Sequence, residues 1–223
     1  MVGHAAPTVG GGSIPTPSLQ FRIQRVVDKE MRVIARDFVN THHSYIKWAD
    51  RPSRRIYWLL YENQILVGVF GIATVYARPR AVTCYLVEHD IRPNEAANNI
   101  VYALFGNLDK NAGTRFLKII RRDARIWWKE RYGDDLKALQ TFILPPRTGA
   151  LYKADNWQEI GRTTGKTMTT RELSKKERAS MSEMELKSLA KPMFNGDGSS
   201  QTRYLVREFQ ETEIKLIFMR MLV

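Results

Sequence analysis

Residues 148–161 read TGALYKADNWQEIG. Tyr152 ends a short helical run ahead of Trp157. It is either a core residue with a satisfied hydroxyl or an acid placed at the end of a reaction. Asp155 follows by about one helical turn, where it could orient Tyr152 or cap the next turn. A second candidate is Lys110-Asn111-Ala112-Gly113-Thr114-Arg115, between an apolar strand-like run and a basic helix. A helix N-terminus after a glycine turn is an anion site, because free backbone N–H groups and the positive dipole end point at a phosphate. Lys110 and Arg115 add charge. An ordinary tight turn would carry the same glycine. Glu88-His89-Asp90 closes another strand-like run, and alternation puts Glu88 and Asp90 on one face, where one carboxyl would be hard to ionise. The plainer reading is a polar strand end before a turn. His42-His43 follows the first helix, either as solvent-facing residues favoured at a helix C-terminus or as a base. One of two neighbours points into a site, and His43 is favoured. No H-x-x-x-H spacing occurs, and with one cysteine, Cys84, neither a disulfide nor a cysteine-rich metal site can form, so no metal is expected.

The elements that must position these residues follow from periodicity. Residues 21–27 alternate as a half-buried strand. Asp28 caps a helix running to about Asn40, with Met31, Ile34, Ala35 and Phe38 on one face. IYWLLYE and ILVGVFGIATVY read as a hairpin about a short polar turn. AVTCYLVEH reads as a third strand, RPNEAANN as a polar break and NIVYALFGNL as a strand covered on both faces, with a short helix as the alternative. A helix over 114–132 ends at Gly133. LKALQTFIL is a strand, 149–155 a short helix and 157–163 a strand. ELSKKERASMSEMELKSL reads as one polar amphipathic helix, 191–203 as a loop, and EIKLIFMRMLV as a last strand. Strands interleaved with two long helices predict an α/β mixed sheet with helices on both faces. Four segments are expected: a flexible leader over 1–20, a main domain over 21–165, a helical and loop extension over 166–213, and a terminal strand over 214–223 that returns to the domain.

The chain has 223 residues, 43% of them hydrophobic, enough for one good-sized α/β domain with an extension. Thirty-five Lys and Arg against 23 Asp and Glu leave a net charge of +12. That points to a polyanionic partner, nucleic acid first and an acidic cofactor or membrane surface second. No run approaches the length of a membrane span, and the start does not read as a secretory signal. A soluble cytoplasmic protein is expected.

The order strand, glycine turn, helix, strand, A-L-Y-x-x-x-x-W, strand resembles the GCN5-related N-acetyltransferases. That family cradles the coenzyme A pyrophosphate with a turn of pattern Q/R-x-x-G-x-G/A. Here Gly113 matches, Lys110 replaces Gln or Arg, and Arg115 stands where a small residue is usual. Leu151-Tyr152 match the family's Leu-Tyr pair, and Asn156-Trp157 replace its Gly-Phe. FVNTHHSY, ILVGVFGIA, NNIVYALFGNLDKNAGTRFL, RYGDDLKALQTFI, TGALYKADNWQEIGRTTG and KLIFMRML occur in an order similar to the Mom-like branch. That branch includes a phage protein that modifies adenine in DNA and a domain of the Druantia anti-phage system.

The resemblance implies a mostly antiparallel central sheet, an acetyl-coenzyme A or related acyl donor at Lys110–Arg115, and transfer to an amine, first of all on a nucleobase in DNA. It also implies Tyr152 as general acid for a leaving thiolate, and His43 as the base on a loop lining the acceptor site. Trp48, Arg51, Arg54, Arg55, Arg78 and Arg80, with Tyr76, lie in loops of the hairpin region, where aromatics stack on bases and arginines hold phosphates. Lys118, Arg121, Arg122, Arg125 and Lys129 form a second basic stripe, on the helix 114–132, for which a solvated outer face is the plainer reading and the loops are the better DNA candidate. Two other functions fit the same residues: an acetyltransferase acting on protein, tRNA or a small amine, and a DNA-binding module without catalysis.

Overall fold

The computed structural model describes residues 20–43, 48, 54–77, 79–194 and 200–222. The expected leader over 1–19 lies outside them. The first strand, β1 (Phe21–Arg25), leads to α1 (Lys29–His42), whose N-cap Asp28 accepts the Met31 N–H at 2.8 Å. The hairpin is present as β2 (Arg55–Glu62) and β3 (Ile65–Thr74). Its turn residues Asn63 and Gln64 both take positive φ, 48° and 67°, the combination that a two-residue hairpin turn requires.

The run read as a third strand is a helix, α2 (Arg80–Glu88). Val82, Tyr85 and Leu86 are its buried residues, at i, i+3 and i+4, so a helical period was present beneath a β-rich composition. The supposed break at RPNEAANN holds a 3-10 turn, Pro93–Glu95, and then the first half of β4 (Ala96–Leu104). Then follow α3 (Ala112–Tyr132), β5 (Ala138–Ile143), α4 (Ala150–Ala154) and β6 (Gln158–Arg162). Gly133 ends α3 with φ 77°, as a left-handed C-terminal residue should.

Residues 166–211 depart from the expected helix and loop. They form a three-stranded antiparallel sheet, β7 (Lys166–Glu172), β9 (Ser200–Glu211) and β8 (Ala190–Phe194) in that spatial order. The single expected helix is two, α5 (Lys175–Ala179) and α6 (Glu183–Leu189), each opened by its own capping box, Ser174 with Glu177 and Ser182 with Glu185. A second S-x-x-E inside a helical pattern is a restart signal that the sequence carried.

The last strand, β10 (Leu216–Met221), enters the main sheet between β5 and β6 and gives the order β1-β2-β3-β4-β5-β10-β6. Every pairing is antiparallel except β4 with β5. This is the mixed, mostly antiparallel sheet that was expected. At the root of the 166–211 excursion, the Thr163 N–H donates to the Lys215 carbonyl at 2.9 Å and the Lys215 N–H to Thr163 Oγ1 at 2.9 Å.

Alternating strand residues feed two faces. Tyr57, Leu59, Val69 and Val101 pack with Ala35 and Val39 of α1. Ile56, Trp58, Leu60, Phe70 and Ile72 pack with Phe116, Ile120, Ala124 and Trp128 of α3 on the other face. α2 covers Ala96, Ala138, Ile217 and Met219 on the α1 side. Asp123 fixes α3 to the sheet, taking Arg25 Nη2 at 2.8 Å and Trp58 Nε1 at 2.6 Å. No helix among the described residues is long and apolar enough to cross a membrane.

Candidate active site

Between the parallel strands the sheet opens. β4 pairs with β5 over three positions only, Ala96–Asn98 against Ala138–Gln140, and beyond them the strands part. At the split, β4 carries a bulge: Gly71 faces Val101 and Ile72 faces Asn99, so Ile100 is the extra residue. Asn99 closes the bulge from its side chain, which is 8% exposed, donating Nδ2–H to the carbonyls of Gly71 at 2.9 Å and Val101 at 2.8 Å. Its Oδ1 accepts the Tyr152 hydroxyl at 2.7 Å. Sequence reasoning missed Asn99. Strands are poor in asparagine, and two in a row before an apolar run was the available signal.

The split opens into a cleft of about 500 Å³ lined by His42, His43, Tyr102, Leu104, Ile143 and the stretch Arg147–Tyr152. Tyr152 and His43 therefore share one cavity. Tyr152 is buried, edge-on to Trp157 with ring centroids 5.0 Å apart. Gly149, at φ 71°, starts α4 and lies so close to Phe218 that a Cβ there would meet the ring at 2.7 Å, so only glycine serves both the turn and the packing. His43 caps α1, its N–H bonded to the Val39 carbonyl at 2.9 Å. Burial, and then the nearby Arg147 guanidinium, hold its imidazole below the ordinary pKa of 6.5, which favours the neutral ring a base needs. His42 also lines the cleft, where only one of the two histidines was expected, and it is stacked on Phe105 at 3.9 Å between centroids. Tyr102 donates to the Gly113 carbonyl at 2.6 Å. Desolvation, with Tyr152 and Asp155 nearby, pushes its pKa well above 10, so it stays a neutral donor.

Asp155 does not reach the Tyr152 hydroxyl through any hydrogen bond among the described residues. One oxygen takes Arg121 at 2.8 Å and the other Trp157 Nε1 at 2.9 Å, so it ties α4 to α3. The turn Lys110–Arg115 adjoins the cleft without lining it. Asn111 sits at φ 68° before α3, and no side chain caps that helix end. A Cβ on Gly113 would stand 2.7 Å from Leu151, so this glycine lets α3 approach α4 closely. Ala112 is buried, and Thr114 Oγ1 bonds back to the Asn111 carbonyl at 2.9 Å. Arg115 turns away, paired with Asp109 at 3.1 Å and lying over the Phe21 ring. Lys110 is exposed.

None of the described arginines from the hairpin-region loops lines this cleft. Arg51 and Arg78 lie outside the described residues. Arg54 pairs with Asp134 and lies over Tyr132. Arg55 bonds through its backbone to the Tyr132 hydroxyl, and Arg80 is exposed at the start of α2. Trp48 is stacked on Tyr57 at 4.3 Å between centroids, which occupies one face of its ring. Arg54 and Thr74 share a backbone bond at the end of the β2–β3 pair opposite Gly68 and Leu104, hence away from the cleft. Glu88 and Asp90 bracket the end of α2 rather than a strand, and His89 stacks on Tyr85 at 4.2 Å. Among the described residues no group of three His, Cys, Asp or Glu side chains gathers as a metal site.

No protein-family model matches the chain. No curated protein matches it either. Among solved structures it is similar to the ribosomal-protein-S18-alanine N-acetyltransferase of Escherichia coli, at 11% identity over 91% of this chain and 94% of that one, TM-score 0.43. FeeM, an N-acyl amino acid synthase from uncultured soil microbes, gives 13% identity over 92% of each chain and TM-score 0.45. A Bacillus subtilis acetyltransferase in complex with CoA gives 11% over 92% and 100%, TM-score 0.42.

Proposed function

We propose that the protein is an acyl-coenzyme A-dependent N-acyltransferase, with an amine of a nucleobase in DNA as acceptor. The observation that carries the acyl-transfer half is the cleft at the β4–β5 split, which brings a tyrosine hydroxyl and a histidine held towards its neutral form to one cavity beside an uncapped helix N-terminus. The residues present fit the donor. The N–H groups at the start of α3, with Lys110 beside them, would take the pyrophosphate. Arg115 is already held by Asp109 and takes no part. The parted strands would offer backbone to the pantetheine arm.

In the reaction the acceptor nitrogen attacks the thioester carbonyl carbon, forming a C–N bond, and the C–S bond breaks. His43 takes the proton that the nitrogen loses. Tyr152 turns its proton from Asn99 Oδ1 to the leaving sulfur, and the thiol departs. Asp155 serves as a positioning residue through Arg121 and Trp157. Trp48, Arg51, Arg54, Arg55, Arg78 and Arg80 are the loop candidates for holding DNA, in a reducing cytoplasmic setting that fits the single cysteine. A base inside a duplex is out of reach, so the acceptor is a flipped or single-stranded base.

A second reading keeps the chemistry and changes the acceptor to a protein, a tRNA or a small amine. It is favoured by the loops themselves, since Arg54 and Trp48 are engaged internally. Two measurements separate the readings. Calorimetric titration with acetyl-coenzyme A should show binding, and its absence would overturn both. Mass spectrometry of nucleosides from DNA of cells expressing the protein should show an acylated base that Tyr152→Phe abolishes. Unmodified DNA alongside donor binding selects the second reading.

A further inference from the structure

The outer side of α3 holds a groove of about 550 Å³, separate from the cleft. Lys118, Arg121, Arg122, Arg125 and Lys129 line it, and Asp135 is the acid in its lining. Two of the five cations are already neutralised, Arg121 by Asp155 at 2.8 Å and Lys129 by Asp135 at 2.8 Å. Lys118, Arg122 and Arg125 are exposed and make no ion pair among the described residues. Like charges three and four apart on a helix repel. A row of them with no acids interposed keeps a penalty that a polyanion would remove. Some such charges elsewhere are compensated: Lys187 of α6 pairs with Glu183, and Arg171 of β7 with Glu177 of α5 and with Glu208.

We propose that this groove docks the phosphodiester backbone of duplex DNA. Positions 118, 122, 125 and 129 form one straight stripe, about 16 Å long at the helical rise. Over that length one strand of a duplex advances by about five phosphates. The row is continuous in charge and nearly free of acids, as suits a ligand whose charge repeats at fixed intervals. Two of its three unpaired cations are arginines, whose guanidinium forks match phosphate oxygens. The groove also abuts the candidate site, because Arg121 lines it while gripping Asp155, three residues after Tyr152. The proposal rests on the nucleic-acid half of the function above and is independent of its acyl-transfer half. It moves the main backbone contact from the loops to α3.

The test is fluorescence anisotropy of the full chain with a labelled DNA duplex, an RNA duplex of the same sequence and polyglutamate, each across a salt series. Duplex affinity should fall steeply with salt, and the double variant Arg122→Ala, Arg125→Ala should lower the slope of log K against log salt by about 2, at 0.9 per lost phosphate contact. The DNA duplex should bind at least as tightly as the RNA duplex, and tighter binding of RNA overturns DNA as the occupant. Unchanged affinity and slope in the double variant overturn it, as does polyglutamate competing as well as duplex at equal charge. A slope lowered by Arg80→Ala but not by the double variant returns the contact to the loops and overturns it too. No acyl donor enters the experiment, so its failure leaves the acyl-transfer reading untouched.

Discussion

The cleft at the β4–β5 split and the groove on α3 are of similar size, about 500 and about 550 Å³, yet they are built in opposite ways. Around Tyr152 the polar groups are withdrawn from water and mutually bonded: Asn99 holds the bulge, Tyr152 leans on Asn99, and Tyr102 is tied to Gly113, whereas Arg147 and Thr148 of the cleft lining are exposed. In the groove Lys118, Arg122, Arg125 and Lys129 stand in solvent, and three of them make no ion pair among the described residues. Withdrawal fixes geometry and shifts acidity, which suits proton transfer to a defined atom. Exposure leaves charge available at long range, which suits capture of an extended polyanion. Arg121 belongs to both, as a wall of the groove and as the partner of a buried carboxylate.

Tyr152→Phe is expected to lower single-turnover acyl transfer by about 10²–10⁴-fold, the usual contribution of a positioned acid. It should also destabilise the chain by about 1 kcal/mol, read by denaturant titration, because Asn99 Oδ1 loses its strong donor. His43→Gln should cost about as much activity and remove the acid limb of the pH profile. Since the imidazole sits below 6.5, the wild-type base stays deprotonated until the pH falls past that lowered value, so the limb should lie below pH 6.5. A limb above that pH would contradict the assignment.

Arg121→Ala should injure both regions at once. It leaves Asp155, 7% exposed, without its cation, at a cost of about 1–3 kcal/mol, and it lowers the DNA salt slope only weakly because that charge was already matched. Gly113→Ala sets overpacking of about 1–3 kcal/mol against Leu151 in opposition to a helix-propensity gain of about 1 kcal/mol. A small net loss of stability is expected, with a weakened affinity for coenzyme A measurable by calorimetry. Arg125→Ala is the gentlest probe: stability within about 0.5 kcal/mol of wild type and a salt slope reduced by about 0.9.

Local signals were legible in the sequence, and relations across the fold were not. The cap at Asp28, the hairpin, α3 with its terminal glycine, and α4 with Tyr152 all follow from patterns a few residues long. α2 was misread because nine β-rich residues satisfy either period once burial is unknown. The strands over 166–211 carry too few alternating apolar residues to announce themselves. Asn99 could not be joined to Tyr152 by spacing, since 53 residues separate them and a bulge sets their contact. The basic stripe was visible as periodicity. Its division into matched and unmatched cations needed Asp155 and Asp135 in place.

The clasp between Thr163 and Lys215 makes the stretch between them a detachable cassette. β6 and β10 are antiparallel neighbours in the sheet, with Arg162 facing Leu216, so a tight turn could join them directly. Replacing roughly fifty residues by about four would reduce the closure entropy of that connection by about 2 kcal/mol. The main sheet would keep its strand order without the smaller sheet. The molecule can thus be trimmed to its catalytic candidate and its basic groove, or fitted with a different insert, by editing one hairpin.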